Sequence, residues 1–199
     1  MSDTKHFLNI SACINCGKLN NNLQSNYECK YCHKKLDKYF EVNDTLLLID
    51  LFLIKKEVLR HIMFNKKPSL VRCIAYGVLL LISKIFLHEF YNSFDLLKCF
   101  VSEVLQFMLY FYILKIYLHL KWKDFLKVLF LSYYWIFNFI LKIWNYKGIE
   151  YELVVEFIVL HINTTGLSCL CDNTVEDIFM ICFVSRIVSK GLIRGLINL

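Results

Sequence analysis

Residues 13–39 read CINCGKLNNNLQSNYECKYCHKKLDKY. Cys13, Cys16, Cys29 and Cys32 form two Cys-x-x-Cys pairs with twelve residues between them. A thiolate pair at that spacing grips one metal ion from a tight turn, and Gly17 supplies the backbone freedom such a turn needs. Two turns facing each other give a closed tetrahedral four-thiolate site, the geometry of structural zinc. An iron–sulfur cluster uses the same ligand type, and His33, next to Cys32, is an alternative fourth ligand. So short a segment cannot build a sufficient apolar core. The spacing therefore predicts a zinc-ribbon-like module over residues 1–41 with Zn2+ as its core.

Outward from that stretch the composition changes. The chain has 199 residues, a net charge of +6, 57% hydrophobic residues and one proline. The apolar excess lies beyond residue 69. The start, MSDTKHFLNISAC, lacks the apolar run of a signal peptide, so the N-terminus is expected in the cytosol. Thiols there are kept reduced, which favours metal binding over disulfides. Cysteines 73, 99, 169, 171 and 182 sit in apolar runs and read as small hydrophobes.

Residues 42–69 read as an amphipathic interfacial helix and linker, starting near Leu46 and ended by Asn65-Lys66-Lys67-Pro68. Asp50, Glu57 and His61 fall on one helical face and are expected to form a solvated stripe rather than a catalytic cluster.

Four apolar segments, 70–87, 96–114, 125–144 and 153–171, each approach the length needed to span a bilayer. Lysine-rich flanks against a lysine-free His88–Asp95 loop put the first loop in the lumen and the second in the cytosol. Glu103 and Glu156 lie inside spans, where an acid is a functional candidate of undetermined role. In residues 172–199, Arg186, Lys190 and Arg194 recur every four residues, the pattern of a basic amphipathic helix contacting an anionic lipid surface. The expected fold is an all-α multi-spanning membrane protein with a small N-terminal four-cysteine module. Three or five spans are the alternatives to four.

The motifs CINCG (13–17), CKYC (29–32), DKYFE (37–41), LLLIDL (46–51) and RHIMFN (60–65) occur in that order. Together they closely resemble the Arv family of endoplasmic-reticulum sterol-homeostasis proteins, strongly over residues 13–65 and in architecture beyond. Lys56 stands where that family often has proline, and Leu59 where it usually has tyrosine. The resemblance implies a multi-pass protein of the endoplasmic-reticulum membrane. It implies sterol transport, linked effects on sphingolipid metabolism and support of glycosylphosphatidylinositol-anchor synthesis. It marks Asp37, Lys38, Tyr39, Asp50, Arg60, His61 and Asn65 as motif residues without an assigned role. The expected partners are membrane lipids, sterol first, and enzymes of lipid or anchor synthesis that a zinc-dependent scaffold would position.

Other classes lack support. There is no nucleophile elbow, phosphate-cradling glycine loop or paired carboxylates in a soluble domain, so no enzyme is expected. Lys18, Lys30, Lys34, Lys35 and Lys38 give a basic surface, but a membrane-tethered knuckle pair is a poor nucleic-acid reader.

Overall fold

The computed structural model describes residues 12–19, 28–66, 70–85, 93–146, 148–171 and 173–197. Pro68 and most of the His88–Asp95 loop lie outside them. The chain divides into two compact units, Met1–Pro68 and Ser69–Leu199. Among the described residues there is no β-strand. Sheet-like pairing is confined to two isolated bridges, Ala12 with Leu19 and Glu28 with Lys35.

In the first unit each bridge closes one cysteine turn. The Gly17 N–H donates to the Cys13 carbonyl at 2.9 Å, and the His33 N–H donates to the Cys29 carbonyl at 2.9 Å. The two turns are equivalent, and the residue after each second cysteine adopts positive φ: Gly17 at 77° and His33 at 54°. Glycine takes that conformation without strain, and histidine is among the residues that tolerate it. His33 is thereby the second turn's counterpart of Gly17.

The expected continuous helix over 46–64 is instead three pieces. Helix α1 covers Asp44–Phe52, α2 covers Lys56–Arg60, and a π-helical turn covers His61–Asn65. The break falls at Leu53–Lys55, where Ile54 has φ 55°. The left-handed Ile54 closes α1 as a C-terminal cap: its N–H donates to the Leu51 carbonyl at 3.0 Å, and the Lys55 N–H donates to the Asp50 carbonyl at 3.1 Å. Asp50 is 2% exposed and His61 2% exposed, so both are drawn into the interior rather than left on a wet stripe. Ile14, Tyr39, Leu47 and Val58 form the apolar core between the first cysteine turn and these helices. The cysteine turns and the helices to residue 66 lie in one compact unit.

The second unit is a helical bundle. It contains α3 (Leu70–Ile85), α4 (Ser93–Tyr117), α5 (Phe125–Phe130), α6 (Phe137–Ile143), α7 (Ile149–Leu167) and α8 (Val175–Ile197). Its core gathers Phe107, Tyr110 and Phe111 from α4, Val159 and Ile162 from α7, and Ile178 and Cys182 from α8. Gly166 lets α7 approach the α5–α6 connection. A Cβ there would overlap Leu131 Cδ2, part of a fully buried side chain.

Of the four expected spans, α4 alone among the described helices is both long and apolar enough to cross a membrane. Its 25 residues reach roughly 37 Å at about 1.5 Å per residue, against a hydrocarbon core of about 30 Å. The segment 125–144 is not one helix. A 3-10 turn at Tyr133–Ile136 divides it. Five bulky rings meet there: Tyr134 stacks on Phe137 at 4.9 Å, Tyr133 lies 4.9 Å from Tyr134, and Trp135 meets Phe107 edge-on at 6.2 Å. Aromatic residues are modest helix formers, and their burial decides the backbone path here.

Candidate metal centre

The two cysteine turns bring four sulfurs together, all within 4.8 Å of one another. Cys13 Sγ lies 3.7 Å from Cys32 Sγ, and Cys16 Sγ lies 3.6 Å from Cys29 Sγ. A tetrahedral zinc with Zn–S near 2.3 Å has sulfur–sulfur edges of about 3.8 Å, so the donor set fits that ion. The spacing is far too long for disulfides, and all four thiols are free. Burial pushes the Cys13 thiol up to about 12 and raises Cys16 as well. Burial acts the same way on Cys29, but the backbone N–H groups of Tyr31 and Cys32 outweigh it and hold that thiol at about 6. A shared proton demand of this kind is what a metal ion relieves, by holding every sulfur as thiolate.

The motif residues without an assigned role surround this centre. Asp37 is fully buried and accepts three hydrogen bonds. The Tyr39 N–H donates to Oδ1 at 3.0 Å, while Asn65 Nδ2 at 2.6 Å and His61 Nδ1 at 2.7 Å both meet Oδ2. Asn65 also bonds Ala12 twice, accepting from its N–H at 3.1 Å and donating to its carbonyl at 3.0 Å. Arg60 Nη1 donates to the Ile14 carbonyl at 2.9 Å and the Asn15 carbonyl at 2.6 Å. These carbonyls lie inside the first Cys-x-x-Cys turn, so Arg60 fixes the turn from outside. Its guanidinium also lies 3.3 Å from where a Gly17 side chain would begin. Gly17 is thus favoured by its φ, with the Arg60 guanidinium packed close against it.

A second polar centre sits on α1. Asp50 Oδ2 accepts from the Tyr39 hydroxyl at 2.7 Å and Oδ1 from Lys55 Nζ at 2.6 Å. The Lys55 bond, opposed by burial and aided by the Tyr39 bond, holds the Asp50 carboxyl below its usual range. Burial and the Asp50 bond push the Tyr39 hydroxyl up. Lys38 is peripheral, 4.0 Å from Asp50 and 5.1 Å from the Tyr39 ring. The solvated stripe expected from Asp50, Glu57 and His61 is corrected on this geometry for Asp50 and His61. Both stand in the buried network, because Tyr39 and Asp37 offer partners that offset their desolvation.

In the second unit the three C-terminal cations do not share an open surface. Arg186 is largely but not fully buried and donates from Nη1 to Glu156 Oε2 at 2.7 Å. Lys190, half-buried, lies 3.1 Å from Glu156 Oε1, and Arg194 is exposed. The periodicity of four is met, but Glu156 draws the first two inward. Of these three cations, Arg194 is the one whose side chain stays exposed. Glu103 is buried on α4. Sequence reasoning missed both the Arg186–Glu156 pair and the role of Ala12, for which its type gives no signal.

Comparison with known proteins bears out the resemblance read from the motifs. Residues 12–95 match the model of the Arv1-like family. Protein ARV1 of Saccharomyces cerevisiae is 38% identical over 61 residues, covering 27% of this chain and 19% of the yeast protein. Protein ARV1 of Mus musculus is 36% identical over 66 residues, covering 29% of this chain and 25% of the mouse protein. Protein arv1 homolog of Dictyostelium discoideum is 31% identical over 67 residues, covering 28% and 27%. The chain thus spans about a fifth to a quarter of the length of the relatives it matches. No solved structure matches it.

Proposed function

We propose that this chain, similar over residues 12–95 to the Arv1-like family, is a membrane protein of lipid homeostasis that handles sterol in the endoplasmic reticulum. Its cytosolic head is organised by one structural Zn2+ on Cys13, Cys16, Cys29 and Cys32. The observation that carries the reading is the network of Asp37, His61, Asn65 and Arg60, which binds the cysteine turns to the helical segment in one folded head. Those residues are consumed in structure. They leave the outward side of α1 as the head's working surface. Leu46, Leu48, Ile49, Phe52 and Leu53 are all exposed there, an apolar patch suited to entering the cytosolic leaflet.

The span candidate α4 supports membrane residence, and the family resemblance supplies the lipid. Multi-pass topology with a cytosolic N-terminus follows from the loop charges. Effects on sphingolipid metabolism and on glycosylphosphatidylinositol-anchor synthesis are consequences of altered lipid distribution in this reading.

Photo-crosslinking of the membrane-reconstituted protein to a photoreactive sterol tests it, with unlabelled sterol as competitor. Competed labelling within residues 46–171 is expected. No competed labelling, with zinc bound at one per chain, would reject direct sterol handling and leave the zinc-dependent scaffold for lipid- or anchor-synthesis enzymes.

A further inference from the structure

A helix lying on a membrane surface needs a charged face open to water. Helix α8 is built the other way round. Between Asp177 and Arg194 every exposed position is apolar or glycine, from Phe179 to Leu192. The polar residues of that stretch turn toward the bundle. Ser185 and Ser189 are buried, and Arg186 and Lys190 reach Glu156 of α7 at 2.7 and 3.1 Å. The Arg186 guanidinium also lies 4.9 Å from the centre of the Tyr110 ring of α4. On composition α8 falls short of α4 because Arg186 and Lys190 count against it, whichever way they face.

Depth and length agree with that pattern. Helix α8 runs back along α4, the helix that is long and apolar enough to cross a membrane. Cys171 Sγ, just before α8, lies 3.9 Å from the Leu118 carbonyl at the far end of α4. Further along, Arg186 meets Tyr110, and Ser189 and Lys190 line one cleft with Gln106. The two antiparallel helices therefore share their depth over about three turns. The seventeen residue steps from Asp177 to Arg194 rise about 26 Å at about 1.5 Å each, against a hydrocarbon core of about 27–30 Å. Exposed Glu176 and Asp177 stand at one end of that interval and exposed Arg194 at the other, where charges reach the headgroups.

We propose that α8 crosses the bilayer as the antiparallel neighbour of α4, with its outward face on acyl chains. It does not lie on the leaflet, as its spacing of cations predicts. This rests on the reading of α4 as a membrane span. Arg186 then stands near mid-depth, where a charge is tolerated when it faces the bundle and is paired, as Glu156 provides. The two ends of α8 open on opposite faces of the membrane.

Glycosylation reporters on the full chain in endoplasmic-reticulum microsomes test it. An N-glycosylation acceptor on a flexible spacer is inserted before Asn173 in one variant and added after Leu199 in another. One of the two, and not both, is expected to gain a glycan that an endoglycosidase removes. A surface helix leaves both ends on one face, so glycans on both or on neither overturn the crossing. A phospholipid with a photoreactive group at its acyl terminus gives a second readout on the unaltered chain, should an insertion misfold. Labelling along α8 is expected to peak at Val184 and Ile187 and to fall several-fold toward Phe179 and Leu192. Even labelling from Phe179 to Leu192 overturns the crossing. No labelling of α8 in a chain that stays in the membrane gives its outward face to a protein neighbour and overturns the contact with lipid. Alkaline extraction separates this inference from its premise. A chain released by it ends the reading of α4 as a span and this inference with it. A chain left embedded, with both reporters on one face, ends this inference alone.

Discussion

Asn65 holds the backbone of Ala12 across fifty-three residues of chain. Its amide accepts from the Ala12 N–H at 3.1 Å and donates to the Ala12 carbonyl at 3.0 Å. A side-chain amide paired with a peptide in this way substitutes for a neighbouring strand. It fixes the residue immediately before the first zinc-ligand candidate, Cys13. Replacing Asn65 by Ala strips two backbone groups and Asp37 of a partner in a site that water does not reach. The expected loss is about 2–3 kcal/mol, the usual cost of orphaned buried polar groups. Because Cys13 is adjacent, the same variant should release zinc to a chromogenic chelator faster than wild type. Unchanged release kinetics would mean that the metal, not Asn65, positions the turn.

The metal makes its own prediction. The full chain should bind one zinc, and Cys29→Ser should reduce binding sharply while leaving the helices of the second unit in place. All four sulfurs must be thiolates in the complex, and burial holds the free Cys13 thiol at about 12. Binding therefore releases protons, and apparent affinity should rise with pH across the neutral range. Competition titrations at several pH values would show it. A flat profile would indicate that fewer than four thiolates bind.

Asp50 links stability to pH in the opposite range. Its folded carboxyl lies below the usual carboxylate value, through Lys55 first and against the opposing effect of burial. The stabilisation is fully present above the unfolded value of about 4 and is lost as pH falls through the folded one. Asp50→Asn removes the titration and weakens the Tyr39 and Lys55 bonds. Lys55 is nearly half exposed, so its contribution is screened, and the expected cost at neutral pH is about 1–2 kcal/mol, mostly from the Tyr39 bond. The acid limb of the stability profile should then flatten relative to wild type. Thermal unfolding in the acid range, compared between the two proteins, decides this.

The four-cysteine centre was legible because its chemistry is local: spacing alone sets which sulfurs meet. The motif residues around it were legible as a group, through resemblance, but not in role. Asp37, His61 and Asn65 meet only after the chain has turned at Ile54, and periodicity cannot announce a break with no glycine or proline to mark it. Asp50 is the sharpest case. Helical spacing put it on a polar face, yet the apolar residues surrounding it in LLLIDLFL already fitted a buried acid with a partner, which Tyr39 provides. In the second unit, apolar runs marked where helices would form but not how they end. The 125–144 run is broken by the packing of its own aromatic rings, and Arg186 is turned inward by Glu156, thirty residues earlier. Both are tertiary effects that override a one-dimensional pattern.

The outward side of α1 yields the last test. Leu47 and Asp50 face the interior, so Ile49 and Phe52 point away from it, each about half exposed. Burying such side chains is worth roughly 1.5–3 kcal/mol each, enough to hold a folded head against a membrane when several act together. Lys56, one turn further on, is exposed but charged and belongs with the headgroups or in water. A photo-crosslinking amino acid placed at Phe52 in the membrane-reconstituted protein should therefore form lipid adducts, and one at Lys56 should form few. The substitution at Phe52 is on the surface and should leave zinc content unchanged, which separates insertion from misfolding. Adducts to a co-purifying protein at Phe52, in place of lipid, would identify the patch as a docking face and favour the scaffold.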